Sequence, residues 1–98
     1  MAEKTQQPGY IGDKEKVKNR LRRIAGQVGG LERMVDEERY CIDILTQVSA
    51  VQAALDKVSL VLLDEHTRHC VVGAKTAQDR EERTSEMMEA VGRLLKSR

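Results

Sequence analysis

Phenylalanine and tryptophan are absent from the sequence, and aromatic residues make up only 2% of it. The core must therefore be built from Leu, Val, Ile, Met and Ala, which suit the packing of helices. The scarcity of aromatic rings also argues against binding of RNA or single-stranded DNA, whose bases stack on such rings. The composition favours an all-α protein over a β-sandwich.

Long apolar runs are missing as well. No stretch of about 18 apolar residues is available to span a membrane, and the N-terminus lacks the apolar segment of a secretory signal. We therefore expect a cytoplasmic protein with no membrane partner. The two cysteines, Cys41 and Cys70, are then expected to be free thiols rather than a disulfide. No enzyme motif is present, because nothing supplies a cysteine nucleophile with a base and an oxyanion loop.

Hydrophobic periodicity predicts three helices after a disordered N-terminal arm at residues 1–12, with residues 13–98 forming a single domain. The first helix begins at Asp13 as N-cap and carries an apolar stripe from Val17 to Val35. Glycines at 26, 29 and 30 weaken it, and close approach of a neighbouring helix would explain them. The charged stretch at 36–40 is placed as a short turn, because the periodicity is lost there.

The second helix is predicted from Ile42 to Cys70, with Gly73 as its stop. A third follows from Ala77 to Lys96, where Thr76 and Asp79 resemble a capping box. A chain of 98 residues would bury a modest core as a monomer, so we expect it to oligomerise.

Two metal-binding side chains lie four residues apart near the end of the second helix. His66 and Cys70 therefore project from one face, about 5–6 Å apart at Cβ. His69 is an alternative or additional ligand at this position. The spacing alone is a weak signal, because a small buried Cys beside a surface His is common.

Cys41 lies at the other end of the same predicted helix, about 37 Å from His66. One chain cannot bring them to a common ion. Homodimers usually have two-fold symmetry, and two such helices packed antiparallel would place Cys41 of one subunit beside His66 and Cys70 of the other. The geometry predicts two intersubunit sites per dimer.

The donor set of two thiolates and one imidazole selects against hard ions such as Mg²⁺ and Ca²⁺. A trigonal set dominated by sulfur suits Cu(I) better than tetrahedral Zn²⁺. Zinc would remain an alternative if His69, Glu65 or water supplied a fourth ligand.

Charge is segregated along the chain even though the net charge is +1. Six basic residues and one acidic residue lie between 14 and 23, whereas acidic residues predominate between 76 and 91. Repeated in an oligomer, the basic segment would form a surface for the phosphates of double-stranded DNA. The alternative is an ordinary solvated helix face balanced by the acidic third helix. The basic candidates for DNA contact on the first helix are Lys16, Lys18, Arg20, Arg22 and Arg23.

Four segments resemble the copper-sensing repressor family called CsoR. They are Arg20–Gln27 (RLRRIAGQ), Tyr40–Asp43 (YCID), Gln47–Gln52 (QVSAVQ) and His66–Cys70 (HTRHC). The likeness covers residues 14–95, and the Cys, His, Cys triplet keeps both of its spacings.

The resemblance implies a three-helix protomer without a helix-turn-helix, assembled as a dimer of dimers. It implies that Cys41 of one subunit and His66 with Cys70 of the other bind Cu(I), with Tyr40 and Glu86 hydrogen-bonded around the site. It assigns Arg20 and Lys57 to the surface that contacts operator DNA. In this family the apo form occupies the operator, and Cu(I) releases it and derepresses copper-resistance genes.

Related sensors with other inducers fit less well. Nickel and cobalt sensors carry His in place of the second thiol, whereas this chain has Cys70. Formaldehyde sensors carry Pro at position 2, where this chain has Ala2, and persulfide sensors lack the middle His. A metal-storage or trafficking protein without a DNA role remains the second function class.

Overall fold

The computed structural model describes residues 7–96, and over that range the chain is helical with no β-strand. The α-helices are α1 (Lys14–Asp36), α2 (Cys41–His66) and α3 (Ala77–Lys96). A 3₁₀ helix, Gly9–Asp13, precedes α1, and a π-helical turn, Thr67–Val71, follows α2 directly. The prediction of a three-helix, all-α protein is confirmed.

The chain divides into two compact units. The first, residues 13–61, contains α1 and most of α2, and we call it the α1–α2 unit. The second, which we call the α3 unit, contains the end of α2, the π-helical turn, α3 and residues 7–12. The 3₁₀ helix replaces the irregular backbone predicted for residues 9–12. Residues 1–6 of the predicted arm lie outside the described residues.

The apolar core of the α1–α2 unit is small. Its buried apolar residues are Val17 and Ile24 on α1 and Val51 and Val58 on α2, each pair seven residues apart. This spacing is two helical turns, so each helix turns one narrow stripe inward. Other members of the predicted apolar stripes are exposed in the single chain, including Leu21, Val28, Val35, Leu45 and Leu55.

The ends of the helices follow from local chemistry. Asp13 is the N-cap of α1, as predicted, although its side chain makes no capping hydrogen bond. Thr76 Oγ1 accepts a hydrogen bond from the backbone N–H of Asp79 at 3.0 Å, which confirms the predicted start of α3.

The end of α1 is unusual because it uses no glycine. Glu38 adopts a positive φ of 57°, and the N–H of Arg39 donates to the Met34 carbonyl at 2.9 Å. The N–H of Glu38 donates to the Val35 carbonyl at 3.0 Å. The two bonds form a Schellman-type end in which glutamate occupies the left-handed position normally taken by glycine.

The neighbouring helix expected over the α1 glycines is not found within the described chain. Apart from the adjoining residues and the backbone of α1 itself, no atom of the described residues lies within 4 Å of a Cβ built on Gly26 or Gly29. Over the described residues, no helix is both long enough and apolar enough to cross a membrane.

Candidate metal site and nucleic-acid interface

The predicted ligands Cys41 and His66 occupy opposite ends of α2, which runs without interruption for 26 residues. A helix of that length spans about 39 Å. Accordingly, the part of the chain that the structure describes contains no group of three His, Cys, Asp or Glu side chains able to hold an ion. A site that includes both residues requires a second subunit.

Both cysteines are free thiols, and they differ in their surroundings. Cys41, at the first position of α2, is exposed, whereas Cys70 is partly buried. The Cys70 thiol lies 3.9 Å from the Gln7 carbonyl oxygen, a weak hydrogen bond. Gln7 therefore lies close to this predicted ligand.

His66 is held in an orientation suited to metal binding. Its Nε2 lies 3.2 Å from the backbone carbonyl oxygen of Arg83 on α3. Because a carbonyl only accepts hydrogen bonds, Nε2 is the donor, and in a neutral imidazole the lone pair is then on Nδ1. A metal-binding histidine usually donates its second ring N–H to such an acceptor. His66 therefore presents Nδ1 as the available ligand atom.

The backbone between His66 and Cys70 departs from the regular α-helix predicted there. The N–H of Val72 bonds to the Thr67 carbonyl at 2.8 Å, five residues back, which defines a π-helical turn. Thr67 Oγ1 also donates to the Leu63 carbonyl at 2.8 Å, in competition with the backbone ladder. Such turns are rare and frequently occur at functional sites. Here the turn spans the backbone between the two predicted ligands.

The alternative ligands His69 and Glu65 are paired with each other. His69 Nε2 lies 3.0 Å from Glu65 Oε1. Recruiting either side chain to a metal would mean giving up this contact.

The two residues expected around the site have different positions. Tyr40 precedes α2 and is 68% exposed. The Glu86 carboxylate lies 3.3 Å from Arg83 Nε, and over the described residues no hydrogen bond joins Glu86 to His66. No sequence signal marks Arg83, because it comes close to His66 only when α3 packs against the π-helical turn.

Three of the basic residues predicted to contact DNA line one groove. Arg20 and Arg23 on α1 and Lys57 on α2 lie there with Ile24, Gln27 and Ala54, around a volume of about 350 Å³. The fold thus brings together cations from distant parts of the sequence.

The other predicted cations lie outside this groove. Lys16 and Lys18 pair with Asp13 and Glu15 at 4.0 and 3.8 Å, and Arg22 bonds to Asn19 at 2.9 Å. Exposed pairs of this kind contribute about 0–1 kcal/mol, so they do not prevent these side chains from binding phosphate.

A second groove of about 480 Å³ shares Arg23 and Gln27 with the first and extends along α1. It adds Arg33 and Arg39, which the sequence analysis did not single out. Gly26 and Gly30 line it as well, so residues without side chains widen the space between the cations.

The donors present in the chain fit a soft metal ion. Two free thiols and an imidazole with its Nδ1 lone pair available match the preference of Cu(I) for sulfur and nitrogen. The carboxylates nearby are already paired with cations or with His69. Nothing in this donor set favours a hard ion.

Sequence comparisons place these features in a known context. The model of a family described as metal-sensitive transcriptional repressors matches residues 13–93. The copper-sensing transcriptional repressor CsoR of Bacillus subtilis is 47% identical over 85 residues, covering 87% of this chain and 84% of that protein. The copper-sensing transcriptional repressor RicR of Mycobacterium tuberculosis is 46% identical over 91 residues, covering 91% of this chain and 95% of that protein.

A solved structure agrees with the sequence comparisons. The copper-sensing repressor CsoR with Cu(I) from Geobacillus thermodenitrificans superposes with a TM-score of 0.80 at 42% identity. The superposition covers 87% of this chain and 88% of that one.

Proposed function

Because this chain belongs to the family of metal-sensitive transcriptional repressors, which are not enzymes, we propose that it is a Cu(I)-responsive repressor. The apo form binds operator DNA, and Cu(I) binding releases it and derepresses copper-resistance genes. The observation that carries this proposal is the presence of Cys41, His66 and Cys70 at the two ends of an unbroken α2, with His66 already oriented by the Arg83 carbonyl.

The proposed site is formed between subunits. Cys41 of one subunit would meet His66 and Cys70 of the partner subunit when two α2 helices pack antiparallel. Cu(I) would supply a soft centre that binds two thiolates and an imidazole at once. The residues of this chain would supply Nδ1 of His66, whose ring is held by its Nε2–H bond to Arg83, and the thiol of Cys70, which lies in the π-helical turn.

Oligomerisation is supported by the apolar surface of the single chain. Leu21, Val28 and Val35 follow each other at seven-residue steps on α1 and are between 43% and 63% exposed. Burial of apolar surface stabilises by about 25 cal/mol per Å², so packing a second copy of the chain on this stripe would stabilise a dimer. We propose a homodimer that assembles further into a homotetramer.

Operator binding is assigned to the groove that Arg20, Arg23 and Lys57 line, assisted by Lys16, Lys18 and Arg22. Cations at this surface would neutralise phosphates of duplex DNA and release counterions. Around the metal site, Tyr40 and Glu86 are proposed to hydrogen-bond near His66 in the copper-bound form. Glu86 lies on α3, so a new hydrogen bond from His66 to its carboxylate would shift α3 and misalign the basic surfaces of the oligomer.

A linked titration tests this function. Duplexes that bind the apo protein would be selected from a random pool, and their affinity measured by fluorescence anisotropy with and without one equivalent of Cu(I) per chain. We expect Cu(I) to weaken binding, and, by reciprocity, the duplex to weaken Cu(I) binding by the same factor. Cys70→Ala should lose the response while keeping the apo affinity.

Two outcomes would contradict the proposal. If Cu(I) binds tightly and operator affinity stays constant, the protein stores or carries metal. If Zn²⁺ releases the duplex and Cu(I) does not, the assignment of the inducer is wrong.

A further inference from the structure

Arg83 connects the predicted ligand His66 to the middle of α3. Its backbone carbonyl accepts the His66 Nε2–H bond at 3.2 Å. Its guanidinium Nε lies 3.3 Å from Glu86 Oε1, one helical turn further along. One residue thus contacts both the imidazole and the carboxylate that is proposed to respond to metal.

The Arg83 side chain is largely buried, because only 13% of it is exposed. Carboxylates approach it from three positions on α3. Asp79 Oδ1 lies 3.9 Å from Nε, Glu82 Oε1 lies 3.5 Å from Nη2, and Glu86 is the nearest. The guanidinium is therefore held in an acidic environment on its own helix.

Nε of Arg83 is buried, and the geometry of its neighbours gives it no well-formed hydrogen bond. A buried donor without a good acceptor is unfavourable. A hydrogen bond from this nitrogen to a carboxylate oxygen would therefore be stabilising. The Glu86 carboxylate forms an ion pair with Arg83, and the Glu86 side chain is 60% exposed. Because it is exposed, the Glu86 carboxylate can accept a hydrogen bond from a different donor when its side chain changes rotamer.

We infer that Arg83 is a positioning residue that holds Glu86 away from His66 in the metal-free protein. The two donors that compete for Glu86 are the Arg83 guanidinium and the His66 Nε2–H, which is bound to the Arg83 carbonyl instead. This inference rests on the proposed function, since it takes a Glu86–His66 bond to belong to the form released from DNA. Arg83 thereby biases the repressor towards the form that binds the operator.

The test uses Arg83→Met, which removes the charge and retains an unbranched apolar side chain. Glu86→Gln and the double variant complete a mutant cycle. Arg80→Met, one turn earlier on α3 and exposed, is the matched control. Arg83→Lys keeps the positive charge and should retain most of the wild-type behaviour.

The first measurement is made on the metal-free protein. Nitrogen-15 NMR of the His66 ring reports which acceptor its Nε2–H is bound to. Arg83→Met is expected to shift this resonance, because Glu86 becomes available to His66, and the shift should disappear in the double variant. Arg80→Met should leave the resonance where it is in wild type.

The second measurement is operator affinity without metal. We expect Arg83→Met to weaken apo binding by about two- to fivefold, the effect of one partly exposed ion pair. Adding Glu86→Gln should cancel that loss, so that the double variant matches Glu86→Gln alone. The fold-change that Cu(I) produces should shrink by the same factor in Arg83→Met.

The inference is overturned if Arg83→Met behaves like Arg80→Met, or if its effect persists unchanged in the Glu86→Gln background. The second result would mean that Arg83 acts through packing. If Arg83→Met does not fold, Arg83→Gln, which also removes the charge, replaces it with and without Glu86→Gln in the same two measurements. Failure of the proposed function looks different, because wild type itself would then show no response of operator affinity to Cu(I).

Discussion

Neutralising Lys57 should change how operator binding depends on salt. Lys57 is the α2 cation in the groove that it shares with Arg20 and Arg23 of α1. Lys57→Gln removes the charge while keeping a polar side chain. If the groove contacts DNA phosphates, this change removes one phosphate contact from every groove placed on the duplex.

The size of the effect follows from counterion release. Each neutralised phosphate contributes about 0.9 to the slope of log affinity against log salt concentration. A two-fold dimer would place two such grooves on the duplex, so the slope should become shallower by about 1.8. When salt is raised from about 50 to 200 mM, the factor by which affinity falls should be roughly tenfold smaller for the variant than for wild type.

Fluorescence anisotropy at four salt concentrations measures this slope for both proteins. Lys75→Gln is the matched control, because Lys75 is exposed and lies outside the groove, before α3. Cu(I) affinity should be the same in all three proteins. An unchanged slope for Lys57→Gln, or an equal decrease for Lys75→Gln, would refute the assignment of the groove to DNA.

Other predictions concern stability. Ile24→Ala should lower the free energy of unfolding by about 2–5 kcal/mol in urea denaturation, because Ile24 is one of the few buried residues of the α1–α2 unit; a loss below about 0.5 kcal/mol would contradict that core. Glu38→Gly should raise the free energy of unfolding by about 0.5–1 kcal/mol, and with it the melting temperature, since Glu38 has a φ of 57°. An unchanged or lower melting temperature would argue against strain there. Gly9→Ala should speed hydrogen exchange at the Ile11 amide, because the new Cβ would lie 2.6 Å from the Glu65 carbonyl oxygen; unchanged exchange would show that the contact is dispensable.

The sequence predicted the helices well because their signals are local. The apolar spacing on α1 and the pairing of Thr76 with Asp79 both depend on residues a few positions apart. The end of α1 was placed from loss of periodicity alone, and the left-handed Glu38 could not be foreseen because no Gly or Asn marks it. The π-helical turn was missed for a similar reason, since Thr67 is compatible with an ordinary helix.

The candidate site was only partly predictable. The chemistry and spacing of Cys41, His66 and Cys70 predict these three as ligands, and the family resemblance adds Glu86 to the prediction. Arg83 was not found, because its role depends on the packing of α3 against the π-helical turn. Long-range packing of this kind leaves no periodic trace in a single sequence.

Mixing two inactive variants tests the central claim most directly. Cys41→Ala and Cys70→Ala chains would be unfolded together, refolded as mixed oligomers, and titrated with Cu(I) beside each variant alone. If the ligands come from opposite ends of α2 in different subunits, each mixed dimer regains one complete site, and tight Cu(I) binding returns at about one ion per mixed dimer. If the mixture binds no better than the separate variants, each ion is held within a single chain and the intersubunit account is contradicted.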